Sequence, residues 1–277
     1  MQIPQRALGR TGREVSAIGL GTVKLGRSTG LKYAAAIPDD EQALALLAHA
    51  HERGITLIDT APAYGLSEER LGRLLPVVAP RDAWVISTKV GEEFDDATGQ
   101  SRFDFTPEWA RASVERSLRR LAVEVLDVVL VHSDGNDLEI IQRLGTLEAL
   151  ARMKEQGRIR AIGISPKTPE GAMAAIDRSD VVMLTLNPRD RADLPAIRAA
   201  HARGIGVVVK KALLSGRPEE AVAHLSADER ERFNAGSDPA GASIRFALSE
   251  PGVSSVVVGT TNPSHLDQAI RAAMAPA

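Results

Sequence analysis

Cysteine is absent from the 277 residues, which excludes disulfide bonds, thiolate metal sites and cysteine nucleophiles. Aromatic residues make up only 3%, which argues against a stacking platform for single-stranded nucleic acid. A net charge of −2 gives no electrostatic attraction to nucleic acid or to an anionic membrane. No stretch approaches the roughly 20 apolar residues of a membrane helix, and residues 1–16 lack the apolar core of a secretory signal. These absences together predict a soluble, cytoplasmic protein.

Short apolar runs alternate with helical patterns along the whole chain. Each run is continuously hydrophobic, as expected of parallel strands that are buried on both faces. The runs of strand length span residues 17–21, 55–59, 84–90, 125–131, 159–165, 181–186, 206–210 and 254–259. Helical patterns occupy residues 39–54, 106–121, 138–156, 195–203 and 263–273.

This alternation predicts the α/β class and a (β/α)8 TIM barrel, because an open doubly wound sheet usually has fewer strands. We expect one barrel domain over residues 1–277, close to the roughly 250 residues typical of this fold. Residues 5–16 predict an N-terminal β-hairpin that turns at Gly12 and covers the barrel floor. A further helix is expected near residues 228–233.

Four polar side chains follow successive predicted strands: Asp59, Tyr64, Lys89 and His132. Since the loops after the strand ends form the active site of such a barrel, we expect these four at one mouth. Each one alone has an ordinary structural role open to it. Asp59 could cap a loop, Lys89 could extend to solvent, and His132 could close a strand. Together on one rim they indicate an acid–base site.

Reduction of a carbonyl by hydride transfer builds negative charge on the oxygen, which then needs a proton donor. Free tyrosine, with a pKa of about 10, is a weak donor at neutral pH. We expect the Lys89 ammonium to lower the pKa of Tyr64, and Asp59 to hold Lys89 in place and charged. A neutral His132 is expected to donate a hydrogen bond to the substrate oxygen. No metal is expected, since the His-Glu-x-x-His spacing is absent.

None of these four groups supplies a hydride, so a nicotinamide cofactor is expected. The end of the eighth predicted strand is the better candidate for a phosphate site, because no Gly-x-Gly-x-x-Gly opens a strand–helix unit. There, Gly259 permits close backbone approach, and Thr260, Thr261 and the helix start at Asn262 offer donors. An ordinary capped turn explains this segment equally well.

Six stretches resemble the motifs of the aldo-keto reductases, and they extend over nearly the whole chain. They are LGRTGREVSAIGLGT, IDTAPAYGLSEERLG, VISTKVG, DVVLVHS, IRAIGIS and SVVVGTTNPSHL. The resemblance implies a (β/α)8 barrel and metal-free, NADP(H)-dependent interconversion of carbonyls and alcohols, with NAD(H) as the other possible cofactor. It also implies that Tyr64 is the general acid/base beside Asp59, Lys89 and His132.

By the same resemblance, one set of residues falls at positions that contact the cofactor. The set is Gly21, Thr22, Val23, Asp59, Ser165, Met183, Lys210, Lys211, Ala212, Leu213, Gly216, Gly259, Thr260, Thr261, His265 and Gln268. Pro166 and Met183 replace the usual Asn and Gln near the nicotinamide. Lys210 and Lys211 stand where many members have a stacking aromatic, and they are expected either to contact the pyrophosphate or to form a solvated basic pair. His265 replaces an arginine near the 2′-phosphate, which weakens the preference for NADP(H).

Three loops are expected to shape the substrate site, as lids or as poorly ordered segments. Their candidate residues are Lys24, Lys32, Tyr33, Phe94, Phe103, Phe105, Ser133, Asp134 and Asn136. The main interpretation is an enzyme, monomeric or weakly oligomeric, that reduces the carbonyl of a small aldehyde, ketone or sugar. Two alternatives stay open: an NAD-dependent sugar or alcohol dehydrogenase, and a non-catalytic subunit that senses the cofactor.

Overall fold

Parallel strands closed into a barrel form the centre of the structure, a computed structural model that describes residues 3–28, 36–95 and 97–275. In chain order the strands are β1 (Gln5–Ala7), β2 (Glu14–Ser16), β3 (Ile18–Gly21), β4 (Leu57–Asp59), β5 (Val85–Val90), β6 (Glu92–Asp95), β7 (Gln100–Phe103), β8 (Leu126–His132), β9 (Ile159–Ser165), β10 (Val181–Thr185), β11 (Gly206–Lys210) and β12 (Val253–Gly259). The barrel runs through β3, β4, β5, β8, β9, β10, β11 and β12, which closes on β3. The predicted (β/α)8 barrel is confirmed.

Helices follow the barrel strands and pack on their outward-facing side chains. They are α1 (Asp40–Glu52), α2 (Ser67–Val78), α3 (Pro107–Arg120), α4 (Asp137–Gln142), α5 (Thr146–Glu155), α6 (Pro169–Ala175), α7 (Leu194–Arg203), α8 (Pro218–Val222), α9 (Ala227–Arg232), α10 (Pro239–Ser249) and α11 (Pro263–Met274). Within the three described ranges, no helix combines the length and apolar character needed to cross a membrane.

Side-chain caps explain why several helix N-termini can be predicted from the sequence. At α1, the Asp39 carboxylate accepts from the Gln42 backbone N–H, and the Gln42 side chain accepts from the Asp39 backbone N–H. At α3, the Thr106 hydroxyl accepts from the Trp109 N–H, and Pro107 takes the first helical position. These local bonds satisfy N–H groups that the helix itself leaves unpaired.

The helix predicted over residues 138–156 is wrong in one respect, because it is divided into α4 and α5. Gly145, between them, has φ +74°, a left-handed conformation that a continuous right-handed helix does not accommodate. Buried residues such as Ile141 and Leu147 lie on both sides of the break, so the apolar periodicity runs through it undetected. The helix predicted near residues 228–233 corresponds to α9, whereas α6, α8 and α10 were not predicted.

The N-terminal hairpin of β1 and β2 is confirmed, and it closes one end of the barrel. Gly12 makes its turn with φ +73°. Leu8 and Val15 are fully buried among the side chains that fill the barrel interior. The Arg6 guanidinium donates to the carbonyl of Val253, the first residue of β12, at 2.8 Å. The hairpin therefore covers the end where the strands begin, and the opposite end forms the mouth.

A second antiparallel hairpin, β6–β7, lies after β5 in the segment that the sequence predicted as a long loop. Glu93 forms ion pairs with Arg116 and Arg120 of α3. The Arg27 guanidinium lies 3.5 Å from the centroid of the Phe94 ring. The strands of this hairpin are short and mostly polar, so hydrophobic alternation gives little signal for them. It is held in place by charge and ring contacts.

The packing between β9 and β10 can be tested at Gly163. A Cβ atom built on this residue would lie 1.7 Å from the carbonyl oxygen of Val181. We expect Gly163→Ala to lower the free energy of unfolding, measured by urea denaturation, by about 1–3 kcal/mol or more. Gly236→Ala is the control, since a Cβ there meets nothing within 4 Å. Equal losses in the two variants would contradict the packing described.

Candidate active site

A buried ion pair lies at the mouth of the barrel. The ammonium of Lys89 is 2.8 and 2.9 Å from the two carboxylate oxygens of Asp59, and it donates to the carbonyl of Thr60 at 2.8 Å. Lys89 is 1% exposed and Asp59 is 3% exposed. Burial alone would lower the pKa of Lys89, but Asp59 and Tyr64 more than offset it and the net pKa is raised. Lys89 is therefore held in one orientation and stays charged.

Adjacent strands bring the two charges together. Asp59 is the last residue of β4, and it pairs in register with Ser87 of β5, two positions before Lys89. The backbone of Asp59 is fixed as well, because its carbonyl accepts from the N–H of Thr22 at 3.0 Å and from the Thr22 hydroxyl at 2.9 Å. The site thus depends directly on the closed barrel.

Tyr64 lies in a 3₁₀ turn, Pro62–Tyr64, directly after β4. The Lys89 ammonium is 4.9 Å from the centroid of the Tyr64 ring. Burial raises the pKa of Tyr64, Lys89 lowers it in part, and the net pKa is raised. The sequence-based expectation of a lowered pKa is not met, because it counted the neighbouring ammonium and not the loss of water. Tyr64 therefore keeps its proton at neutral pH.

His132 is the last residue of β8, and its ring meets the Tyr64 ring edge-on, with 6.4 Å between centroids. Its buried Nδ1 lies 2.8 Å from Oε2 of Glu92, although the carboxylate stands off the ideal hydrogen-bond direction. Burial lowers the pKa of His132, Glu92 opposes this, and the net pKa is below its ordinary value. Sequence reasoning missed Glu92. The only signal was its position in an acidic segment three residues after Lys89.

Glu92 is ionised in this arrangement. Burial alone would raise its pKa, but the His132 ring and the Ser101 hydroxyl lower it to about 2. The Ser101 hydroxyl donates to Glu92 Oε1 at 2.6 Å. Both carboxylate oxygens of Glu92 therefore face polar groups of the protein.

Lys210 extends across the opposite side of the mouth. Its ammonium donates to the Ser165 hydroxyl at 2.8 Å and to the Pro166 carbonyl at 2.7 Å. Burial and the charge of Lys211 lower the pKa of Lys210 to about 7. Lys211 is exposed, with φ +58°. The two lysines are therefore not an equivalent solvated pair, because Lys210 is bonded to Ser165 and Pro166 whereas Lys211 is exposed.

The rim of the barrel also presents two neighbouring glycines, Gly21 and Gly259. Gly21 and Gly259 pair in register at the ends of β3 and β12. A Cβ on Gly259 would meet no atom nearer than the Gly21 carbonyl oxygen, at 3.9 Å. Helix α11 begins immediately afterwards, capped by Asn262. An open backbone edge followed by a helix N-terminus fits a ligand that carries phosphate groups.

The remaining predicted cofactor residues have different surroundings. Thr260 and Thr261 lie between β12 and α11, and His265 lies in the first turn of α11. Val23 begins the 3₁₀ turn after β3, and Ala212, Leu213 and Gly216 follow β11. Gln268 donates to Asp238 at 2.7 Å. Met183 is not brought to the mouth surface. It is 3% exposed and packs among the side chains of the barrel interior.

The predicted substrate loops are only partly visible. Lys32 and Tyr33 lie outside the described residues, and Lys24 belongs to the 3₁₀ turn after β3. Phe94 and Phe105 are 8% exposed, whereas Phe103 is 38% exposed. Ser133 is buried, Asp134 is partly exposed and Asn136 is exposed. Of the three aromatic residues, only Phe103 therefore offers a substantial free surface.

Comparison with known proteins gives a consistent result. The model of the aldo/keto reductase family matches residues 17–276. L-galactose dehydrogenase of Arabidopsis thaliana is 28% identical, and the match covers 98% of this chain and 88% of that protein. An aldo-keto reductase of Schizosaccharomyces pombe whose name includes NADP(+) is 32% identical over 60% of this chain and 46% of its own length. A crystal structure described as that of an aldo-keto reductase from Pseudomonas aeruginosa is 46% identical, with a TM-score of 0.81 and coverage of 97% and 95% of the two chains.

Removal of one charge from the buried pair should destabilise the fold. We expect Lys89→Met to lower the free energy of unfolding by about 3–5 kcal/mol, because Asp59 is left buried without its partner. Urea denaturation at neutral pH measures the loss. Lys211→Met, which changes an exposed lysine, should change the free energy of unfolding by no more than about 0.5 kcal/mol. A similarly small effect at Lys89 would mean that the ion pair is not desolvated as described.

Proposed function

The chain belongs to the aldo/keto reductase family and is an oxidoreductase, and we propose that it interconverts a small carbonyl compound and its alcohol at the mouth of the barrel. In this proposal Tyr64 donates the proton in reduction and accepts it in oxidation. The observation that carries the proposal is the buried Asp59–Lys89 pair beside the Tyr64 ring. A charged pair withdrawn from water is costly to maintain, so its position next to a titratable phenol favours a chemical role.

Each member of the group has a distinct task. Tyr64 is protonated at rest, which is the state that a donor to a carbonyl oxygen requires. Once the proton has left, the Lys89 ammonium stabilises the phenolate, and each pKa unit of such stabilisation is worth about 1.4 kcal/mol. Asp59 holds the ammonium in place through two short contacts. The His132 ring, edge-on to Tyr64, orients the substrate oxygen.

A nicotinamide cofactor, when bound, supplies or accepts the hydride. We propose that Gly21, Gly259, Thr260 and the start of α11 hold its phosphate-bearing part. Ser165 and Lys210 are proposed to hold the nicotinamide end, since Ser165 pairs in register with His132 and Lys210 donates to the Ser165 hydroxyl. Met183 is buried in the interior and has no direct role in this proposal.

We propose that the preferred cofactor is NADP(H). The name of the Schizosaccharomyces pombe relative and the family resemblance support this preference. His265 is exposed in the first turn of α11, where it can approach a 2′-phosphate, although an imidazole offers a weaker contact than a guanidinium. An NAD-dependent sugar or alcohol dehydrogenase remains the second candidate. The name of L-galactose dehydrogenase favours an oxidative role of that kind.

A non-catalytic, cofactor-sensing subunit is the third possibility. The intact group of Asp59, Tyr64 and Lys89 speaks against it, since binding a cofactor does not need a buried ion pair beside a phenol. Oxidation of the bound reduced cofactor by a reactive test aldehyde distinguishes an enzyme from a non-catalytic subunit. Absence of turnover over a broad panel of aldehydes and ketones would favour the sensor.

Replacement of the proposed proton donor is the direct test. We expect Tyr64→Phe to reduce turnover of a test aldehyde by about 100- to 10,000-fold, the range that general acid–base groups contribute. Cofactor affinity, measured by fluorescence titration, should stay within a factor of a few, because the hydroxyl is proposed to act on the substrate. Turnover equal to that of the unmodified protein would rule out Tyr64 as the donor.

Titration with NADPH and NADH tests the cofactor preference. We expect NADPH to bind at least about tenfold more tightly, which corresponds to about 1.4 kcal/mol. His265→Ala should weaken NADPH binding and leave NADH binding unchanged, since only NADPH carries the 2′-phosphate. Equal or tighter binding of NADH would support the NAD-dependent dehydrogenase instead.

A further inference from the structure

We propose that Glu92 is a positioning residue for His132: it keeps a proton on Nδ1, so that Nε2 of the neutral ring is left as an acceptor for a substrate hydroxyl. This inference rests on the proposed function, in which His132 touches the substrate. It adds a residue to the site and indicates a substrate class, an alcohol or the hydroxyl-bearing cyclic form of a sugar.

The contact itself is the first argument. Nδ1 of His132 and Oε2 of Glu92 are 2.8 Å apart, off the ideal hydrogen-bond direction, and Nδ1 is shielded from solvent. The side chain of His132 is 21% exposed and that of Glu92 is 12% exposed. Since Nδ1 is buried, the exposed part of the side chain lies on its other atoms, and Nε2 is not among the buried atoms that lack a partner. One edge of the ring therefore lies against the carboxylate, and Nε2 is left for a substrate group.

The rigidity of the carboxylate is the second argument. Glu92 begins β6, and it pairs in register with Phe103 of β7. The Ser101 hydroxyl donates to its second oxygen at 2.6 Å. The next residue, Glu93, ties the hairpin to α3 through its ion pairs with Arg116 and Arg120. The hairpin and its ion pairs to α3 therefore hold Glu92 in a fixed position.

The position of the proton follows from the chemistry of the two groups. The pKa of Glu92 is about 2, so the group is a carboxylate at neutral pH and can only accept. An unprotonated Nδ1 would set two acceptors against each other at 2.8 Å. Nδ1 therefore carries the proton. A neutral imidazole has a single N–H, which leaves Nε2 with a lone pair.

This arrangement changes the role expected of His132. The sequence predicted that the neutral ring donates to a carbonyl oxygen, but a ring with its proton on Nδ1 cannot donate from Nε2. It can accept from the hydroxyl of an alcohol. To donate to a carbonyl oxygen, the ring must first bind a second proton, and the Glu92 carboxylate stabilises that imidazolium.

The other charged groups around the ring shift the pKa of His132 or of Glu92 in stated directions. Lys89 on β5 and Lys210 on β11 lower the pKa of His132, whereas Glu92 raises it. Lys167 lies near Glu92 and lowers the pKa of that carboxyl. Tyr64 keeps its proton at neutral pH and adds no charge. As the pH falls through the pKa of His132, the ring gains its second proton and becomes a donor.

Nitrogen NMR of the six histidine rings tests the proposal on the resting protein. The His132 signals are identified by their loss in His132→Gln. We expect Nδ1 to be protonated and Nε2 unprotonated at neutral pH in the unmodified protein. In Glu92→Gln we expect a mixture of the two tautomers and a fall of about one pH unit in the pKa of His132, since the stabilising anion is gone. The alkaline limb of aldehyde reduction should move to lower pH by the same amount.

Glu108→Gln is the matched control, because it removes the same charge from an exposed carboxylate of α3 that faces Arg111 and has no part in holding the hairpin. Its His132 tautomer and pKa should equal those of the unmodified protein. An Nε2–H tautomer in the unmodified protein, or equal changes in both variants, would overturn the proposal. The NMR result does not depend on turnover, so a failure of the proposed redox function, shown by inactivity towards every carbonyl tested, is distinguishable from a failure here.

Discussion

Two opposite charges withdrawn from water, on Asp59 and Lys89, set the main constraint on this structure. Their contact requires that β4 and β5 lie side by side, and that the chain beyond β4 turns so that Thr60 presents its carbonyl to the ammonium. A buried carboxylate or ammonium without its partner is strongly destabilising. The same pair that lies beside the Tyr64 ring therefore also ties the geometry of the mouth to the integrity of the barrel wall.

The N-terminal hairpin closes one end of the barrel, and the polar groups described above lie at the other. The N-terminal hairpin inserts Leu8 and Val15 into the interior, and it is bonded to the start of β12 through Arg6. Polar groups at the other end come from strands that are far apart in sequence, such as β5, β8 and β11. A ring of parallel strands converts these separate positions into one rim, which is why side chains as distant as Lys89 and Lys210 influence the same imidazole.

Much of the fold was predictable from the sequence because the barrel strands are continuous apolar runs, and each of them coincides with a predicted run to within two residues. The four polar residues at the mouth were predictable for the same reason, since each follows or ends such a run. The break at Gly145 and the β6–β7 hairpin were not, because a glycine within a periodic pattern and short polar strands leave little hydrophobic signal. The raised pKa of Tyr64 could not be anticipated either, as it depends on how much water the folded chain excludes.

Residue 92 belongs to a hairpin inserted between β5 and α3, and not to the barrel itself. Among the described residues its strand pairs with β7 of the same hairpin, and neither strand belongs to the eight-stranded ring, so the hairpin can change in length or composition without a change in the register of the ring. With the role of Glu92 proposed above, proteins that share the mouth residues of this fold could differ in the protonation of their histidine by exchanging this one insertion. The protonation of the catalytic histidine could then change in evolution while the barrel stays the same.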